Sequence, residues 1–119
     1  MSELQSLLSS FRPDIESQLK PHLRGFFGGV VRHYLPQVWA FKTETESGSL
    51  TVSAEGKVRV SAGVSRHCDV LITWSHPQLM AALRTRDRTQ IPSGSAPSVQ
   101  FKTRRGKTAF SFLRSRFGL

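Results

Sequence analysis

Residues 68–87 read CDVLITWSHPQLMAALRTRD, and within this stretch the periodicity of the chain changes. From Cys68 to Ser75 apolar side chains occupy nearly consecutive positions, the composition of a central strand buried on both faces. After Ser75 they fall at Leu79, Met80 and Leu83, the spacing of one helical face. Ser75 stands where an N-cap would, Pro77 falls in the first turn, and Gln78 comes three positions after Ser75, so a helix is expected to start here.

Upstream, the alternating period continues. In QVWAFKT (37–43), Gln37, Trp39, Phe41 and Thr43 share one side. SLTVSA (49–54) alternates through Leu50, Val52 and Ala54, and KVRVSA (57–62) through Val58, Val60 and Ala62. Glu55-Gly56 between them reads as a two-residue hairpin turn. Four strands in succession predict an antiparallel meander. Residues 1–34 read as helices. Leu4, Leu7, Leu8 and Phe11 share a face, Arg12-Pro13-Asp14 interrupts, and helical spacing resumes at Ile15 and Leu19. Pro21 either starts a new helix or kinks this one, and Gly25, Gly28 and Gly29 weaken the segment by ~1 kcal/mol each.

Downstream, TQIPSGSAPS (89–98) is a loop by composition. SVQFKTR (98–104) reads as a fifth strand, with Val99, Phe101 and Thr103 on one face, Gln100 and Lys102 on the other, and Gly106 as its breaker. KTAFSFLRSRF (107–117) reads as a last helix with Ala109, Phe110, Leu113 and Phe117 on one face. The expected fold is α+β: one domain over 1–119, with N-terminal helices over 1–34. Residues 35–119 would form a five-stranded, mainly antiparallel sheet with two further helices covering it.

The net charge of +9 is unevenly placed. Residues 84–119 hold nine basic groups against Asp87 alone, so the positive field belongs to the C-terminal third. Such a field favours nucleic acid, an acidic membrane surface or an anionic ligand; a merely solvated basic face is the bland alternative. No stretch approaches the ~20 apolar residues that cross a bilayer. The N-terminus carries Glu3 and no basic region of the signal-peptide kind, and the single Cys68 precludes an internal disulfide. A cytoplasmic protein is therefore expected.

Enzymatic chemistry finds little support. His22, His33, His67 and His76 show no HxxxH spacing, and Cys68 belongs to no CxxC pair. His67, Cys68 and Asp69 are adjacent, so on a strand they point to opposite faces and cannot form a relay. Cys68 reads as a small core residue and Asp69 as a hydrogen-bonding residue at the strand entry. Gly106-Lys107-Thr108 resembles half of a phosphate loop, but Phe101 stands where its first glycine is required. A weaker role as an anion-binding helix start survives, flanked by Arg104, Arg105 and Lys107. No metal and no cofactor is expected.

YLPQVWAFKTE (34–44), a short hairpin, residues 68–87 and VQFKTRRGKTAFSFLRSRFGL (99–119) together resemble the SCP-2 family, the sterol carrier protein 2-like lipid-binding domains. The resemblance rests on Val38 to Lys42, Asp69 to Thr73, Ser75 to Arg84 and the segment from Arg105-Gly106-Lys107 through Phe117. It implies a five-stranded sheet and helices enclosing an apolar tunnel or cavity that holds a lipid, and a carrier in place of a catalyst. Lys107 replaces the family's usual acidic residue, and with the basic C-terminal third it favours a fatty acid, acyl-CoA or other anionic lipid over a sterol.

On this reading the tunnel is lined by Phe26, Phe27, Trp39, Phe41, Ile72, Met80, Leu83, Phe101, Phe110 and Leu113. Arg104, Arg105 and Lys107 would contact a headgroup or an anionic membrane. The protein would be a monomer or homodimer. A basic nucleic-acid-binding α+β domain is the alternative reading, and a partner-binding scaffold ranks third.

Overall fold

The computed structural model describes residues 3–17, 35–86 and 96–113. Helix α1 (Glu3–Ser10) buries Leu4 and Leu8, and the chain turns at Phe11 before a second helical stretch begins at residue 12. The sheet comprises β1 (Gln37–Lys42), β2 (Ser47–Val52), β3 (Val58–Ala62), β4 (Val70–Thr73) and β5 (Ser98–Phe101). Helix α2 (His76–Thr85) comes after β4, and helix α3 (Arg104–Leu113) after β5.

The strand order is β3-β2-β1-β4-β5. Three of its pairings are antiparallel, but β4 runs parallel to β1, with Trp39 opposite Val70 and Phe41 opposite Ile72. The four-strand meander expected from the sequence therefore holds only for β1–β3. Residues 63–69 carry the chain from the β3 edge across β2 and β1. Seven extended residues reach ~23 Å, more than the ~14 Å across three strand spacings, so no crossover helix is needed.

The register sorts side chains to two faces. Trp39, Phe41, Leu50, Val52, Val58, Val60, Val70, Ile72, Val99 and Phe101 share one face. The described helices lie against it. A Cβ on Gly48 would meet Leu8 of α1 at 3.3 Å. Phe110 of α3 packs on Trp39, their ring centroids 5.5 Å apart. Leu79, Met80 and Leu83 of α2 join the same buried cluster. The crossover passes over the opposite face, where the buried Ser49 hydroxyl donates to the Gly63 carbonyl at 2.8 Å and accepts from the Ser65 amide at 3.0 Å.

Three local expectations need correction. The β2–β3 turn is longer than two residues: Ser53 N–H reaches Lys57 C=O at 2.8 Å and Gly56 supplies the positive φ of 79°. Ser75 is the N-cap residue of α2 but makes no capping bond, because its hydroxyl turns to the Gln78 side chain. Instead, the Glu44 carboxylate receives the His76 amide at 3.0 and 3.1 Å. Gly106 does not break a strand, since α3 begins at Arg104 and carries Gly106 in its first turn. A Cβ there would stand 2.5 Å from the Asp69 carbonyl oxygen, so glycine lets α3 lie directly on the entry to β4.

Candidate functional site

Among the described residues, a contiguous cluster of buried apolar groups lies between the sheet and its helices. Six of the residues expected to line a tunnel belong to one contiguous buried cluster: Trp39, Phe41, Ile72, Met80, Leu83 and Phe110. The first three come from neighbouring strands on one face, and the others close over them from α2 and α3. Trp39 is 2% exposed, and its indole N–H donates to the buried Gln37 Oε1 at 3.1 Å, so its one polar atom is satisfied inside.

Phe101 differs. It stacks edge-on against Phe110 with centroids 5.5 Å apart, yet 41% of it meets solvent. The aromatic row Trp39–Phe110–Phe101 therefore runs from the buried centre to the surface at the β5 edge. Phe26 and Phe27 lie outside the described residues, as does the glycine-bearing stretch around them, and so does the side chain of Leu113.

The expected basic residues come three to six positions after Phe101, in the first turn of α3. Arg104 and Lys107 are exposed. Arg105 lies 3.8 Å from Asp69 Oδ1, so part of its charge is balanced. The helix start itself is occupied internally. Thr103 Oγ1 accepts the Gly106 amide at 3.0 Å, and the Thr103 hydroxyl donates to Asp69 Oδ1 at 2.7 Å.

Asp69 is 4% exposed and receives the Val38 amide on its other oxygen at 2.8 Å. Both carboxylate oxygens are thus engaged in joining β1, β4 and α3, which makes Asp69 a structural clasp and leaves no lone oxygen aimed at a reacting group. Sequence reasoning placed its role correctly and missed its partner. The signal was available, since Thr103 stands three positions before Gly106, the spacing of a hydroxyl cap. His67 is exposed while the neighbouring Cys68 is buried. Among the described residues no three His, Cys, Asp or Glu side chains gather as a metal site. No helix of these residues is long and apolar enough to cross a membrane.

No protein-family model and no curated protein matches the sequence. Among solved structures, the chain is similar to one described as "UbiJ-SCP2 Ubiquinone synthesis protein". The two share 19% identity and superpose with a TM-score of 0.52, over 98% of this chain and 93% of that one. The chain has an SCP2-like fold. The mixed five-stranded sheet with helices on the Trp39 face is the part of that SCP2-like architecture on which the candidate interior is built.

Proposed function

We propose that this protein is a non-catalytic, cytoplasmic lipid carrier. Its ligand is a fatty acid, an acyl-CoA or another apolar lipid, held between the Trp39 face of the sheet and the helices. One observation carries the reading: in an SCP2-like fold, an aromatic row leads from the buried Trp39 through Phe110 to the exposed Phe101. An apolar interior with a few polar groups at one end is the usual form of a small-molecule site. Trp39, Phe41, Ile72, Met80, Leu83, Phe101 and Phe110 line the path in this proposal, with Phe26, Phe27 and Leu113 completing it.

Arg104, Lys107 and, less strongly, the Asp69-facing Arg105 hold an anionic headgroup beside Phe101. The SCP2-like neighbour is described as a ubiquinone synthesis protein, so a quinone lipid belongs among the ligands to be tried.

Native mass spectrometry of the purified protein, with extraction of any bound lipid, tests the proposal together with titration by a fluorescent fatty acid. A stoichiometric lipid or a saturable titration is expected. A protein that is empty and takes up neither fatty acid, acyl-CoA nor quinone overturns it. Arg104→Glu with Lys107→Glu should weaken acyl-CoA binding about ten-fold while sparing a neutral alcohol of the same chain length, as expected when a charge-assisted contact is lost. Equal weakening of both would remove the headgroup role.

A further inference from the structure

The sheet has a second face, and its charge is one-sided. Register and alternation place Lys42 of β1 and Arg59 of β3 on the side away from Trp39, together with Thr73 and Gln100. Lys102 continues this row, because its amide extends the ladder to Asp69 C=O at 2.8 Å. The crossover that lies over this face adds Arg66 and His67, both exposed, and Val64, which is 40% exposed.

Lys42, Arg59, Arg66 and Lys102 have no acidic partner among the described residues. The described acids are engaged elsewhere. Glu3 pairs with Arg84, Asp14 with Arg86 and Glu16 with Arg12. Glu44 binds the His76 amide, and Glu46 lies beside the His76 ring. Asp69 shares the row with Lys102, but its carboxylate is buried on Val38 and Thr103. Only Glu55, at the tip of the β2–β3 turn, is left without such a partner.

We propose that this outer face is a docking surface for an anionic lipid bilayer. Its four cations meet lipid phosphates, and Val64 enters the interface between them. The choice of a bilayer rests on the lipid-binding reading and on the chemistry of the patch. Single-stranded nucleic acid is held chiefly by large exposed aromatic rings that stack with bases, and among the described residues this face offers no exposed Phe, Tyr or Trp, only the smaller imidazole of His67. The exposed phenylalanine among those residues, Phe101, belongs to the opposite face. An exposed aliphatic group on a face that carries four cations without acidic partners among the described residues instead matches the boundary between headgroups and acyl chains. Docking by this face would leave the Phe101 end at the rim, open to lipid.

Co-sedimentation of the full chain with vesicles tests the assignment, using phosphatidylcholine alone and phosphatidylcholine with one-third phosphatidylglycerol. Partition should favour the anionic vesicles and fall as salt shortens the screening length. Each basic group near such a surface contributes about five-fold, so Lys42→Ala, Arg59→Ala and Arg66→Ala together should lower partition roughly a hundred-fold. The matched control removes the same charge from the helix side with Ser6→Glu, Arg12→Ala and Arg84→Ala, and should stay within about two-fold, since interactions of exposed charges fade beyond the screening length. Equal losses in both triple variants would mean that only net charge matters and would overturn the proposal. So would no preference for anionic vesicles, or tight retention of a duplex RNA in their place. The fatty-acid titration is run on the same samples. An unbound acyl probe beside intact vesicle docking overturns the carrier reading alone, and a bound probe beside absent docking overturns the face alone.

Discussion

The two faces of one sheet are built from the same strands and behave as different materials. On the Trp39 face most of the alternate side chains are apolar and many are buried under helices, and the acids nearby are joined to bases or to backbone amides. On the outer face the alternate residues are mostly short, polar or basic, with Val38 and Leu71 as the aliphatic members, and only a seven-residue crossover lies over them among the described residues. The first face obtains its stability from burial, about 1.5–3 kcal/mol for each large side chain removed from water. The second buries few large side chains; apart from the Asp69 clasp and the Ser49 anchor it carries smaller stabilising contacts, and its cations are exposed. If this division is right, substitutions should separate by face: stability on one side, surface binding on the other.

The largest effect expected is from Trp39→Ala. Removing a buried indole from the centre of the cluster should cost about 3–5 kcal/mol, read as a lower urea midpoint at an unchanged slope. A bound lipid could fill part of the gap, so the loss should shrink when saturating fatty acid is present. A cost under ~1 kcal/mol in the apo protein would break the comparison, because the helix face would then be no better packed than the outer one.

Gly106→Ala comes next. The new methyl group would meet backbone atoms of Asp69 at 2.5 and 2.9 Å, and backbone cannot swing away as a flexible side chain can. About 1–3 kcal/mol of destabilisation is expected, against the small gain that alanine normally brings to a helix. A stabilised variant in thermal melting would show that α3 does not depend on this close approach to β4.

These two positions show what the sequence disclosed and what it withheld. The alternation at Trp39 and Phe41 and the helical spacing at Leu79, Met80 and Leu83 were legible, because burial writes its period into a single element. So were the number of strands and six members of the buried cluster. The parallel placement of β4 was not, since the crossover of residues 63–69 carries no apolar period that states where it lands. Gly106 read as a breaker because its reason is a carbonyl 37 positions earlier, at Asp69. The sidedness of charge was hidden for the same cause. Glu3 finds Arg84 and Asp14 finds Arg86 only after folding, and the same Arg86 guanidinium lies 3.9 Å over the Phe11 ring. Composition counted these cations with the basic field, whereas the fold neutralises them on the helix side.

A smaller effect concerns Glu44, the carboxylate that caps α2 from the β1–β2 turn. Hydrogen bonds from its own backbone amide and from the His76 amide hold its carboxyl below the usual value. A lowered folded pKa stabilises the protein above the unfolded pKa, and the contribution disappears as pH falls through the folded value. Glu44→Ala should therefore lower the melting temperature at pH 7, and the gap to the wild-type protein should close as pH drops below ~4, the ordinary carboxylate range. A gap that persists at pH 2 would assign the effect to packing in place of charge. Glu16, held below its usual value chiefly by the Val58 amide, sharpens the test by showing the same trend from the helix side.

The smallest stability effect should come from the outer face. Lys42, Arg59 and Arg66 are exposed and make no ion pair among the described residues, so truncating each to alanine removes neither a buried contact nor a charge partner. Surface substitutions of this kind usually stay within about 0.5 kcal/mol, and mutual repulsion among the cations could make the triple variant slightly more stable than the wild type. That outcome has a specific meaning beside the vesicle experiment. A variant that melts like the wild-type protein yet no longer sediments with anionic vesicles has lost a surface and kept its fold. A triple variant that instead lost ~2 kcal/mol would place these side chains in the folding of the sheet, and the contrast between the two faces would no longer separate stability from binding.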